Sequence, residues 1–93
     1  MAFAMPDGID EPVEATATTD EDSVEFATPI ERWVHITVDG PADVRFAFDA
    51  PVSAGKYFTL KAGESIRNVG RRARTLHWQA VSGTSAFRAL GMR

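Results

Sequence analysis

The sequence predicts an all-β fold: a small antiparallel β-sandwich or flattened barrel of about six strands, carried behind an extended N-terminal arm. Three observations lead there. From residue 30 onward, apolar residues recur at alternate positions in short runs, the period of a half-buried strand. Gly, Pro, Asp and Ser punctuate those runs at short intervals. No stretch sustains the period of a helix.

Residues 1–29 read as the arm. They carry Asp7, Asp10, Glu11, Glu14, Asp20, Glu21, Asp22 and Glu25, with no Lys or Arg. The run Ala15–Asp22 offers too little apolar surface to offset its ordering entropy, so alone it is disordered and against a surface it is extended. Its hydrophobes, Phe3, Met5, Ile9, Val13, Val24 and Phe26, stand singly, spaced so that each can enter a separate shallow pocket. Pro6, Pro12 and Pro29 favour an extended path between them. Two readings stay open: a solvated tail, or a segment that binds by draping over a neighbour. On either reading, a chain lacking residues 1–29 remains a folded domain.

Residues 30–93 read as the folded β domain. Within Ile30–Val38, Val34, Ile36 and Val38 share one face while Trp33, His35 and Thr37 share the other. Asp39–Ala42 is a Gly-Pro turn, and Asp43–Asp49 alternates again with Val44, Phe46 and Phe48 together, so the two runs suggest a hairpin. Pro51 and Gly55 break the chain before Lys56–Leu60. Lys61–Gly63 turns it into Glu64–Val69, and Gly70–Arg72 forms an exposed basic connection. Ala73–Ser82 is the longest strand candidate, with Leu76, Trp78 and Ala80 inward and Thr75, His77 and Gln79 outward. Ser82-Gly83 then leads into Thr84–Leu90. The expected core is Val34, Ile36, Phe46, Phe48, Phe58, Leu60, Ile66, Leu76, Trp78 and Phe87. So small a body is near the lower limit for independent folding, and a partner subunit would add stability.

Composition bounds the function. The chain has no Cys, hence no disulfide framework and no thiolate metal site. Its longest apolar stretches are far too short to span a membrane as a helix, and Met1–Pro6 lacks the basic start and apolar run of a secretory signal. The body carries five acids against ten bases, the reverse of the arm.

Catalytic chemistry has few candidates. His35 and His77 are the only imidazoles, on outward strand faces; with an Asp they could make a metal site, but nothing in their spacing requires one. Ser65 follows Gly63-Glu64 but does not complete the Gly-x-Ser-x-Gly elbow, and no helix is predicted after it; the glycines stand alone at turns, so no loop cradles a phosphate. The expectation is a protein that is not an enzyme and needs no metal or cofactor. Arg67, Arg71, Arg72 and Arg74 cluster within eight residues, and with Trp33 and His77 they could serve a single-stranded nucleic acid. The acidic arm would compete with a polyanion for that patch, which favours a protein partner. The expected partner-binding residues are therefore Phe3, Met5, Ile9, Val13 and Phe26 as apolar anchors, with Arg67, Arg71, Arg72 and Arg74 as the cationic surface. The arm would meet that surface on an adjacent copy, or on its own domain.

Gly55–Ile66 (GKYFTLKAGESI) and Leu76–Gly91 (LHWQAVSGTSAFRALG) carry a resemblance. A strand ending in Leu-x-x-Gly-Glu-Ser, and a late turn on Ser-Gly-Thr before Arg-x-Leu-Gly, resemble the C-terminal half of small β-sandwich structural proteins of tailed bacteriophages. The resemblance covers about forty residues. It implies a multi-copy head decoration (cement) subunit, or a head-tail or tail accessory subunit. Its partner would be the major capsid protein or another virion component, and its location the virion, assembled in the host cytoplasm. No catalytic residue is implied. A second reading, from the residues, is a glycan- or host-surface-binding module with Trp33, Tyr57 and His77 as a stacking platform.

Overall fold

Alternation fixes the face a residue takes but not the strand it pairs with, and the architecture turns on that distinction. The structure, a computed structural model, describes residues 10–92. Eight strands follow in chain order: β1 (Asp10–Ala17), β2 (Asp22–Ile30), β3 (Arg32–Pro41), β4 (Val44–Phe48), β5 (Phe58–Leu60), β6 (Ser65–Val69), β7 (Ala73–Ala80) and β8 (Ser85–Met92). One layer has the order β1-β8-β3-β6 and the other β2-β7-β4-β5, every pair antiparallel. Only β4 and β5 are sequence neighbours within a layer; every other connection crosses the sandwich. This is the eight-stranded jelly roll, an all-β sandwich as the sequence predicts.

The crossings correct the expected hairpin. β3 and β4 flank the Gly-Pro turn but lie in opposite layers, β3 between β8 and β6, and β4 between β7 and β5. The larger difference concerns the arm. From Asp10 onward its residues are strands of the sandwich: β1 pairs with β8 from Asp10↔Met92 to Ala17↔Ser85, and β2 pairs with β7. The folded body therefore includes residues 10–29, which the sequence reading placed in the arm. The physical reason is that pairing satisfies the backbone whatever the side chains, so an edge strand needs only a few apolar residues. Here those are Val13, Ala17, Phe26 and Ile30, all buried. Phe3, Met5 and Ile9 lie outside the described residues.

Trp33 is a second correction. The register of β3 against β8 shifts between Trp33 and His35, and this bulge returns Trp33 to the inner face opposite Gly91. It is completely buried, while Val34, expected inward, is half-buried. The core is continuous through seven rings. Phe26 meets Trp33 (5.7 Å between centroids), Trp33 meets Phe48 (5.6 Å), Phe48 meets Phe58 (5.6 Å) and Phe58 meets Phe46 (5.6 Å). Phe46 meets Phe87 (5.2 Å), and Phe87 meets Trp78 (4.9 Å). Such stacked, tilted and edge-on contacts add to area burial and tie both layers together. Gly91 is required by this packing, since a Cβ there would lie 2.8 Å from Ile30 Cγ2.

Candidate interaction surface

With the interior filled by rings, the chemistry available to a partner lies on the two outer faces, the edges and the loops. His35 sits on the outer face of the β1-β8-β3-β6 layer beside Thr37, Nδ1 3.4 Å from its hydroxyl. His77 sits on the outer face of the other layer, Nε2 3.2 Å from the Thr75 hydroxyl. The sandwich separates the two imidazoles. Among the described residues, no group of three or more His, Cys, Asp or Glu side chains is placed to hold a metal ion. On the His35 face, Arg88 donates Nε and Nη2 to the two carboxylate oxygens of Asp39, each at 3.0 Å. Those hydrogen bonds, then the Asp39 charge, raise the Arg88 pKa above its ordinary value.

The four arginines that are neighbours in sequence diverge in space. Arg67 lies on β6, opposite His35, with its side chain exposed. Arg71 lies over the Phe48 ring, 5.5 Å from its centroid, and 3.8 Å from Asp49. Arg72 pairs with Glu31 at 3.2 Å, and Arg74 donates Nη1 to the Ala27 carbonyl at 3.3 Å. Three of the four thus engage their own chain. Of the expected anchors, Val13 and Phe26 fill the core of their own sandwich. The stacking platform does not assemble either: Trp33 is buried, His77 is half-buried, and Tyr57 is exposed near the edge of the second layer.

The structure brings together a surface groove the sequence reading missed. After β4 the chain folds back over the outer face of its layer. Val52 buries there, and the Ser53 N–H donates to Glu21 Oε1 at 2.8 Å. This leaves a hollow of about 370 Å³ lined by Phe46, Ala47, Phe48, Ala50, Lys56, Tyr57, Phe58 and Arg71. Arg45 lies over the Tyr57 ring at 5.1 Å. Aromatic faces between cationic ends suit an anionic group with an apolar body. The sequence signal was the pair Lys56-Tyr57 ahead of a strand; their meeting with Arg71 depends on the fold.

No protein-family model and no curated protein sequence matches the chain. Solved structures match its fold. A crystal structure of an HTH_3-family transcriptional regulator from Vibrio cholerae aligns over 90% of this chain at 18% identity, with a TM-score of 0.59. The chain spans only 43% of that regulator's length. The cupin_2 domain of an XRE-family transcriptional regulator from Enterobacter cloacae aligns over 91% of this chain and 95% of that domain, at 13% identity and a TM-score of 0.54. At such identities the likeness is one of fold, and it agrees with the jelly-roll order of the strands.

Proposed function

We propose that this chain is a virion structural subunit of the decoration or cement type, binding a capsid lattice through its outer surfaces. The observation that supports a surface-acting role is the seven-ring interior: bulky side chains occupy the space where a sandwich of this kind could enclose a ligand. The capsid as partner rests on the resemblance carried by Gly55–Ile66 and Leu76–Gly91, residues that here form β5 to β8 and their connections. Many copies on a symmetric shell make weak individual contacts sufficient, and binding to the shell stabilises a small domain by mass action.

The test is direct. The full chain, added to undecorated capsids assembled from the major capsid protein of a tailed bacteriophage, cosediments at a saturable ratio and raises the temperature at which the capsids melt. A chain that stays at the top of the gradient at every concentration overturns the proposal. A second reading, recognition of a glycan or host surface, is favoured by the exposed Tyr57 beside the cationic groove. Glycan-array binding lost on Tyr57→Ala supports it; a blank array removes it.

A further inference from the structure

The topology sorts the charges of this molecule onto opposite edges. β1 and β2 are consecutive in the chain and each is an outermost strand of its layer, so together they form one lateral edge. β5 and β6 form the other. Between residues 11 and 25 the first edge carries Glu11, Glu14, Asp20, Glu21, Asp22 and Glu25, and no base. Between residues 56 and 69 the second carries Lys56, Lys61 and Arg67, against Glu64 alone. Glu64 is engaged locally, accepting the Lys61 backbone N–H at 2.8 Å. Among the described residues, the ion pairs within the chain use Arg71, Arg72 and Arg88, so the three bases of the second edge have no carboxylate within bridging distance.

The strand registers set these charges at matching heights. Arg67 lies opposite His35, His35 opposite Leu90, and Leu90 opposite Pro12, so Arg67 stands level with Pro12, which follows Glu11 and precedes Glu14 by two residues. Phe58 heads the row Phe46, Trp78, Asp22, and Lys56 precedes it in the chain by two residues, at the end of the layer toward which β2 runs from Asp22 to Glu25. Lys61 follows Leu60, whose row runs through Val44 to Ala80. The Ala80 N–H donates to the Thr18 carbonyl at 2.7 Å, at the corner that holds Asp20.

The polarity of the strands fits as well. A second copy set beside the first by translation along the layers brings β6 against β1 and β5 against β2, each antiparallel, because successive strands in both layers alternate in direction. Free strand edges are templates for such pairing, and charge decides which edge is accepted.

We propose that the β1–β2 edge of one copy docks on the β5–β6 edge of a second copy, head to tail. The contact is heterologous, so each molecule keeps one free edge of each sign until a ring closes. It concerns the free protein and stands apart from the identity of any capsid partner.

Two variants of the full chain test it: Asp20→Asn/Asp22→Asn/Glu25→Gln on the acidic edge, and Lys56→Gln/Lys61→Gln/Arg67→Gln on the basic edge. All six side chains are exposed, so melting temperature should be preserved and is checked first. By sedimentation equilibrium, the native chain passes beyond dimer with concentration at low ionic strength. Its association constant falls by roughly tenfold or more when the screening length shrinks in high salt. Each variant alone is monomeric. Mixed in equal amounts they form dimers and stop there, because one complementary pair of edges remains. A native chain that is monomeric at millimolar concentration in low salt overturns the inference, as does a mixture that fails to dimerise. So does native-like association of either variant alone. A chain that passes this test yet binds no capsid keeps the edge contact and loses the proposed function.

Discussion

β7 and β8 run through the centre of their layers, whereas β1 and β2 run along the edge beside them, and the two pairs are held in different ways. The central strands are paired on both sides and fill the interior at nearly every inward position: Ala73, Leu76, Trp78 and Ala80 from β7, and Ser85, Phe87 and Ala89 from β8. Among the described residues the edge strands have one partner each, and they bury fewer side chains: Val13 and Ala17 from β1, Phe26 and Ile30 from β2. Ala15 and Val24 are half-buried against the core, and the exposed positions include Glu14, Thr16, Asp22, Ser23, Glu25 and Thr28. A central strand thus announces itself by hydrophobic density. An edge strand is specified largely by backbone pairing, which leaves no mark on composition, and its charges discourage indiscriminate pairing.

The sharpest way to break this comparison is to remove the edge. Deleting residues 1–29 strips β1 and nearly all of β2, opening one side of β8 and β7 and uncovering Trp33 where Phe26 packs on it. The remaining chain is expected to lose its cooperative unfolding transition, followed by circular dichroism on heating. A truncated chain that melts cooperatively near the native temperature would make β1 and β2 an appendage to an independent domain.

Single rings give a graded version. Phe87 is almost fully buried at the centre, in contact with the rings of Phe46 and Trp78, and Phe87→Ala should cost about 3–5 kcal/mol in a urea titration. Phe26 is 4% exposed and meets Trp33 edge-on, so Phe26→Ala should cost about 2–4 kcal/mol, less because an edge strand relaxes more freely. A phenylalanine that serves only as an anchor for another molecule would leave stability unchanged. The measurement separates the two roles without a partner in hand.

Six strands were legible in the sequence because β3 to β8 combine alternation with turn residues between them, and of the expected core Ile36, Phe46, Leu60, Leu76, Trp78 and Phe87 are buried. What alternation could not supply was pairing, so the Gly-Pro turn suggested a hairpin where the chain crosses layers. Trp33 was misjudged for a local reason: one bulge inverts every face assignment before it, and no residue of that stretch signals it. The histidines were correctly expected on outward faces, but periodicity says nothing of which layer each strand joins. The arginines misled in the opposite sense. Closeness in sequence suggested one patch, whereas Arg67 belongs to a strand of one layer, Arg71 and Arg72 to the crossing, and Arg74 to the other layer. The groove of Phe48, Lys56, Tyr57, Phe58 and Arg71 depends on chain return after β4, so the pair Lys56-Tyr57 could be seen in the sequence but its meeting with Arg71 could not.

The smallest expected effect tests the joint where the central strand β7 meets the end of β4. Asp49 has φ of 61°, the left-handed region, in which Asp and Asn are better tolerated than Ala. Its Oδ1 accepts the backbone N–H groups of Arg74 (2.7 Å) and Thr75 (3.2 Å), while its own N–H donates to the Thr75 carbonyl at 3.1 Å. One side chain therefore ties the exit of β4 to the entry of β7. Asp49→Ala loses both acceptor bonds and strains the backbone, but the site is partly open to water, which replaces some of the loss. The expected cost is about 1–2 kcal/mol. Asp49→Asn keeps an acceptor and the backbone preference, and should fall within about 0.5 kcal/mol of the native chain. Asp49→Gly relieves the strain without restoring the bonds, so its place between the other two divides conformational from hydrogen-bond contributions. If Asn proves as costly as Ala, the carboxylate charge facing Arg71 at 3.8 Å, and not the two acceptor bonds, is what holds this joint.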